Sequence, residues 1–163
     1  MKLQIQSVFA ADPKTVWDTF NDPKFEARLE ETSGVRYELQ SDTVENGFEV
    51  RKIKCTAKKE LPKMLARALG SDRLSYTQVN KLDRKADRLE WEVIPMALAD
   101  KVVAKGITTI VVRDGKSHRT VDGEITVSIP LVGGAIEKVI VGEVQDSFQK
   151  AADLAARFMR GDA

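Results

Sequence analysis

Two periodicities divide the chain. Leu3 and Ile5, continued by Ser7 and Phe9, alternate with Lys2, Gln4 and Gln6, the two-residue repeat of a half-buried strand. Asp12-Pro13 then joins a helix-capping side chain to a proline suited to the first helical turn, and a short helix burying Val16, Trp17 and Phe20 is expected. The same punctuation at Asp22-Pro23 opens a second short helix, with Phe25 and Leu29 four apart on one face. From Val35 the period returns to two, and Asn46-Gly47 makes a hairpin turn into a strand bearing Phe48 and Val50. On that strand the apolar parity moves to Ile53, Cys55 and Ala57, which predicts a bulge or a change of face. Further strands fit residues 74–82, 89–96, 107–113 and 120–129, with turns at 83–87 and at Asp114-Gly115. The last block has a helical period: Ile136, Val139, Ile140, Val144, Phe148, Ala151, Leu154, Ala155 and Phe158 form one stripe, opposite Glu137, Lys138, Gln145, Asp146, Gln149, Lys150, Asp153 and Arg157. A helix of about 25 residues spans roughly 37 Å, enough to cross a whole sheet.

The order is strand, two short helices, six antiparallel strands and one long C-terminal helix. This α+β arrangement buries itself most simply as a curved seven-stranded antiparallel sheet wrapped around that helix. The order resembles the helix-grip fold of the START-like (SRPBCC) superfamily, which includes birch-pollen-allergen-like proteins, polyketide cyclases and aromatases, and lipid-transfer proteins. The segments ADPKTVWDTFNDPKF and IPLVGGAIEKVI carry the likeness, at its first strand-to-helix passage and its last strand-to-helix junction. Neither is a catalytic signature. The likeness covers nearly the whole chain, so residues 1–163 are expected to form a single domain, similar to an uncharacterised bacterial branch known as a domain of unknown function. The resemblance implies a hydrophobic ligand in the space between sheet and helix. Geometry points the same way, because a strongly curved sheet and one helix leave a gap unless large side chains fill it. Aromatic residues are only 6% of the chain, and the helix face thins to Ala151, Ala152, Ala155 and Ala156, so either close packing or a hollow is expected there.

Composition narrows the function. With 42% hydrophobic and 31% charged residues, the chain fits neither a disordered nor a membrane-embedded protein. A net charge of +1 argues against a nucleic-acid partner. One cysteine, Cys55, and one histidine, His118, exclude a disulfide framework and a Cys/His zinc site, and no cofactor or metal is expected. The N-terminus lacks the apolar run of a signal peptide and no stretch reaches the ~20 apolar residues of a membrane span, so a cytoplasmic location is expected.

Candidate ligand-contacting residues are the apolar positions of one strand parity, Phe48, Val50, Tyr76, Leu89, Trp91, Val93, Ile107, Val111, Ile125 and Val127, facing Ile136, Val139, Ile140 and Val144 on the helix. Equally they could form ordinary core, and the parity of residues 108–112 is ambiguous. Residues 61–70, LPKMLARALG, have helical spacing inside a strand-to-strand connection, and Met64 and Leu65 there could line a lid. Residues 51–73 carry eight basic and two acidic residues, so Lys58, Lys59, Lys63 and Arg67 are candidates for transient contact with an anionic membrane. The stretch from Leu61 to Val93 is similar to part of the PRELI-type phospholipid-transfer proteins. A plain helical plug with solvated lysines is the alternative.

Enzymatic candidates are sparse. His118 could act as a general base in a cyclase-type pocket, but its place beside the Asp114-Gly115 turn favours the surface. Tyr37 and Tyr76 could orient a polar head group. Gly133-Gly134 could expose backbone N–H groups to an anion, or simply permit the strand-to-helix turn. The expected function is therefore non-catalytic binding or transfer of a lipid or other hydrophobic small molecule. The alternatives are a cyclase or aromatase-type enzyme and a protein-binding module that docks through Met64 and Leu65.

Overall fold

The computed structural model describes residues 1–162. Its elements run β1 (Lys2–Phe9), α1 (Pro13–Phe20), α2 (Pro23–Ser33), β2 (Val35–Glu45), β3 (Phe48–Glu60), α3 (Lys63–Leu69), β4 (Arg73–Asp83), β5 (Arg88–Pro95), β6 (Val102–Arg113), β7 (Lys116–Val127) and α4 (Gly133–Met159). Local chemistry sets the boundaries. Asp12 accepts a hydrogen bond from the Thr15 amide at 2.8 Å and Asp22 one from Lys24 at 2.9 Å, each followed by proline in the first turn. Asn46-Gly47 and Asp114-Gly115 both carry positive φ at the two central positions, the geometry that joins twisted antiparallel strands most tightly.

All seven strands form one antiparallel sheet in the order β1-β7-β6-β5-β4-β3-β2. β1 and β2 lie at opposite edges although they are neighbours in sequence, so α1 and α2 carry the chain from one edge to the other. α4, 27 residues long, packs on β1, β7, α1 and α2. The apolar parity change in β3 is one of side-chain chemistry and not of backbone, because β3 pairs with β4 without a break from Glu49 to Thr56, and the bulge expected there lies in its partner. Gln40 is the extra residue of a bulge in β2 between Leu39 and Ser41, while Arg51, Ile53 and Ala57 face inward and Phe48 and Val50 share the other parity.

One close contact lies in the middle of the sheet. Gly106 and Gly123 pair across β6 and β7, and the buried Trp91 indole of β5 rests against both. A Cβ at either position would overlap that ring, so only glycine admits the indole.

The core falls into two clusters along α4. Ile136, Ile140 and Val141, in its N-terminal half, join Leu3, Ile5, Trp91, Val121, Ile125 and Val127. Ala151, Ala152, Leu154 and Ala155, in its C-terminal half, join Phe9, Val16, Trp17, Phe25, Leu29, Leu82 and Ile110. A run of edge-to-face rings, Phe9 to Phe20, Phe20 to Phe25 and Phe25 to Phe158, extends this second cluster. The alanine end of α4 is thus the closely packed end, and Val141 takes the buried place expected of Val139, which is 37% exposed. No helix among the described residues is long and apolar enough to cross a membrane.

Candidate functional site

Because α4 is held at both ends, its middle turns bridge a hollow. A cavity of about 170 Å³ lies between Ile140–Ala151 of the helix and the inner faces of β3, β4, β5 and β6, closed at one end by Trp17, Phe20 and Phe25. Its apolar wall includes Leu29, Ile53, Leu74, Leu89, Trp91, Val93, Val144 and Phe148, with Trp91 and Phe148 in an edge-to-face pair at 5.7 Å. The mouth lies where the β2–β4 side of the sheet faces Glu143 and Asp146, both exposed on α4.

The expected ligand contacts divide by position. Tyr76, Leu89, Trp91, Val93, Ile140 and Val144 line the cavity together. Ile125, Val127 and Ile136 are buried in the neighbouring core and do not reach it. Phe48, Val50, Ile107, Val111 and Val139 do not reach the wall either. Phe48 sits under the Lys81 ammonium, 4.4 Å from its ring centroid, and Val50 pairs with Lys81 in register. Ile107 belongs to the outer face of the sheet, and Val111 is 49% exposed. In β6 the inward parity is Val102, Ala104, Gly106, Thr108 and Ile110, which puts the odd-numbered residues outside. Both strands are apolar on both faces, so hydrophobicity alone pointed to the wrong side.

α3 is a helix, as residues 61–70 predict, but it is not part of the cavity wall. Leu65 and Ala68 pack against the core at that end of the sheet, while Met64 is 73% exposed. Lys58 pairs with Glu30 at 3.8 Å, whereas Lys59, Lys63 and Arg67 are exposed and form no ion pair among the described residues. The β5–β6 and β7–α4 connections end at the same side of the sheet, and Met96 and Leu131 protrude from them, Leu131 with a φ of 69°.

Polar groups in the cavity are the part that patterning missed. Arg51 is 5% exposed and partnered at both terminal nitrogens: Nη2 is 3.0 Å from Glu26 and Nη1 donates to Asn21 Oδ1 at 2.9 Å, while Nε lies 3.5 Å from Asp42 without a hydrogen bond. It ties β3 to α1 and α2 beside the cavity. Arg119, on the inward parity of β7, stacks over the Phe20 ring at 4.4 Å, yet its Nε and Nη1 are buried without a hydrogen-bond partner. Burial alone lowers its pKa, to about 10, and no neighbouring carboxylate offsets that effect. The signal was present in the sequence, because Ser117, Val121, Ile125 and Val127 mark the buried parity of β7 and Arg119 falls on it.

Tyr37 and Tyr76 both line the cavity, flanking the buried Cys55 in register. Burial raises the pKa of both phenols and pushes the Cys55 thiol up to about 12. The Tyr37 hydroxyl is 3.5 Å from Ser33 Oγ. His118 lies on the opposite parity of β7, between Val8 and Val111 on the outer side of the sheet, so it has no access to the cavity. Gly133 abuts the Val127 carbonyl, where a Cβ would collide, so close packing accounts for it.

Residues 4–159 match the family described as "Protein of unknown function (DUF2505)". The chain belongs to the DUF2505 family. Its helix-grip fold, a curved antiparallel sheet around a long C-terminal helix, is shared by several solved structures. The Zhui aromatase/cyclase from Streptomyces sp. R1128 superposes with a TM-score of 0.68 at 12% identity, over 98% of this chain and 96% of that one. TTHA0849 from Thermus thermophilus gives 0.65 at 13% identity, over 100% of both chains. Ara h 8.0201 gives 0.62 at 10% identity, over 95% of this chain and 97% of that one. Among curated protein sequences none matches this DUF2505 chain.

Proposed function

We propose that this DUF2505 protein is a non-catalytic carrier or sensor that binds a hydrophobic small molecule or lipid in the cavity between its sheet and α4, as one START-like domain over residues 1–163. The observation that carries this reading is the hollow itself: α4 is anchored at both ends and its middle crosses a wall of Leu, Val, Phe and Trp side chains. A cavity of about 170 Å³ is comparable to the ~150 Å³ hollow that admits one benzene-sized molecule. At this volume it takes a single ring or a short chain, and a three-ring probe or a lipid binds by widening the cavity beside Glu143 and Asp146.

The neighbour named as an aromatase/cyclase raises the enzymatic alternative. That reading has less support here, because His118 is on the far side of the sheet and the two phenols in the cavity are shifted away from the range useful to a general base. Delivery at an anionic membrane is a finer part of the proposal. It is supported by Lys59, Lys63 and Arg67 beside the exposed Met64, with Met96 and Leu131 at the same end of the sheet.

Native mass spectrometry of the purified protein tests the carrier reading, together with titration by the neutral fluorophore N-phenyl-1-naphthylamine. A co-purifying small molecule, or saturable fluorescence that Val93→Trp or Val144→Trp abolishes by filling the cavity, is the expected result. Absence of both a bound molecule and a saturable signal refutes it.

A further inference from the structure

We propose that the molecule held in this cavity is an anion, a carboxylic acid with a one-ring or short-chain apolar body, whose carboxylate pairs with Arg119. The inference rests on the cavity reading above and deepens it. A guanidinium carries five N–H donors and stays protonated at neutral pH. Taken out of water it needs an acceptor, preferably a charged one, and the protein supplies none: Nε and Nη1 of Arg119 are buried and unpartnered. Arg119 forms no ion pair among the described residues, and burial alone lowers its pKa.

The acidic groups that could have served are engaged or distant. Glu26 pairs with Arg51 at 3.0 Å, Asp87 accepts from the Trp17 indole at 3.0 Å, and Asp146 pairs with Lys150 at 2.7 Å. Glu143 is exposed at the mouth. Arg51 differs in having acceptors at both terminal nitrogens, Glu26 and Asn21, with only its Nε lacking a hydrogen bond, whereas Arg119 forms no hydrogen bond or ion pair among the described residues and lies over the face of Phe20. The Phe20 ring, 4.4 Å from the guanidinium carbon, offers no acceptor to the N–H groups of Nε and Nη1, and a carboxylate is the acceptor that pairs best with a guanidinium.

One neighbour shares the same deficit. Ser7 Oγ, on the β1 residue in register with Arg119, is buried without a partner, and so is Trp91 Nε1, farther along the cavity wall beside Gly106 and Gly123. All of these groups can donate a hydrogen bond. An acid supplies acceptors only, and its hydrocarbon body would lie along Phe20, Phe25, Phe148 and Trp91.

Isothermal titration of the full chain at neutral pH with two matched pairs, benzoate against benzamide and hexanoate against hexanamide, tests the charge while holding size constant. Each acid is expected to bind at least about tenfold more tightly than its amide, given the strength of charge-assisted hydrogen bonds. Arg119→Gln is expected to abolish the preference while N-phenyl-1-naphthylamine still binds, and Arg119→Lys to retain part of it. Amides that bind the unmodified protein as tightly as the acids overturn the anionic assignment and leave the cavity reading standing. A preference for acids that persists in Arg119→Gln removes Arg119 from the assignment. Failure of acids, amides and fluorophore alike overturns both readings.

Discussion

Gly123→Ala tests whether the indole seat shapes the sheet and the cavity. A Cβ at Gly123 would lie 2.5 Å from Trp91 Cζ2, 2.6 Å from Cη2 and 3.3 Å from the Lys105 carbonyl oxygen. Ordinary carbon contacts begin at roughly 3.5 Å, so the indole must retreat by about 1 Å. Trp91 is buried and already in contact with Phe148, so the retreat is resisted on one side and narrows the cavity on the other. Overpacking of this kind costs ~1–3 kcal/mol, against ~0.5–1 kcal/mol gained by replacing a strand glycine. The net loss is about 0–2.5 kcal/mol, a fall in Tm of up to roughly 10 °C for a chain of this size. Because a side chain is the principal obstacle, Trp91→Leu should remove it, making the second change neutral or stabilising. Urea unfolding of the four proteins in that cycle should therefore show coupling of about 1–3 kcal/mol between positions 91 and 123. Gly106→Ala is the internal control: its Cβ also overlaps the Asp122 carbonyl oxygen, so its cost should persist beside Trp91→Leu. Equal cost of Gly123→Ala in both backgrounds would refute the reasoning.

Other consequences can be measured separately. Arg119→Met replaces a half-buried guanidinium, with Nε and Nη1 buried and unpartnered, by an apolar side chain and should raise ligand-free stability by ~1–4 kcal/mol in urea unfolding; a loss would show that the guanidinium is satisfied in the native state. Glu26→Gln weakens the Arg51 pair and should cost ~1.5–3 kcal/mol, whereas a change below the error of the titration would mean that Asn21 and Asp42 suffice. Cys55 is protonated in the native protein up to about pH 12 but ionises near ~8.5 when unfolded, so the native state binds the extra proton and stability should fall as pH rises from ~8.5 towards 12. A Cys55→Ala protein should lose that contribution, most visibly between pH ~8.5 and ~10, below the range of the tyrosines; an unchanged slope would exclude the thiol as its source. Lys63→Glu with Arg67→Glu should abolish sedimentation with phosphatidylserine vesicles while leaving N-phenyl-1-naphthylamine binding intact, and undiminished sedimentation would remove α3 from any membrane contact.

What the sequence determined is everything governed by neighbours along the chain. Asp12 and Asp22 with their prolines start two helices, Asn46-Gly47 and Asp114-Gly115 turn two hairpins, and a 3.6-residue repeat runs through the last 30 positions. Strand count and helix length then leave one economical packing, the curved sheet around α4. Tertiary structure alone decided which surface is inside. Alternation separates the two faces of β3 and β6 without saying which is buried, because Phe48, Val50, Ile107 and Val111 are apolar on the outer face while Arg51 is charged on the inner one. The cavity is likewise a long-range result, since it exists where α4 spans the gap between two core clusters drawn from distant segments. The seat of Trp91 needs the β6–β7 register to bring Gly106 opposite Gly123, and the isolation of Arg119 depends on the acids around the cavity, Glu26, Asp146 and Glu143, being paired elsewhere or exposed. A repeat in sequence reports on one element at a time, whereas burial of a charge or an empty volume is a property of all the elements that surround it.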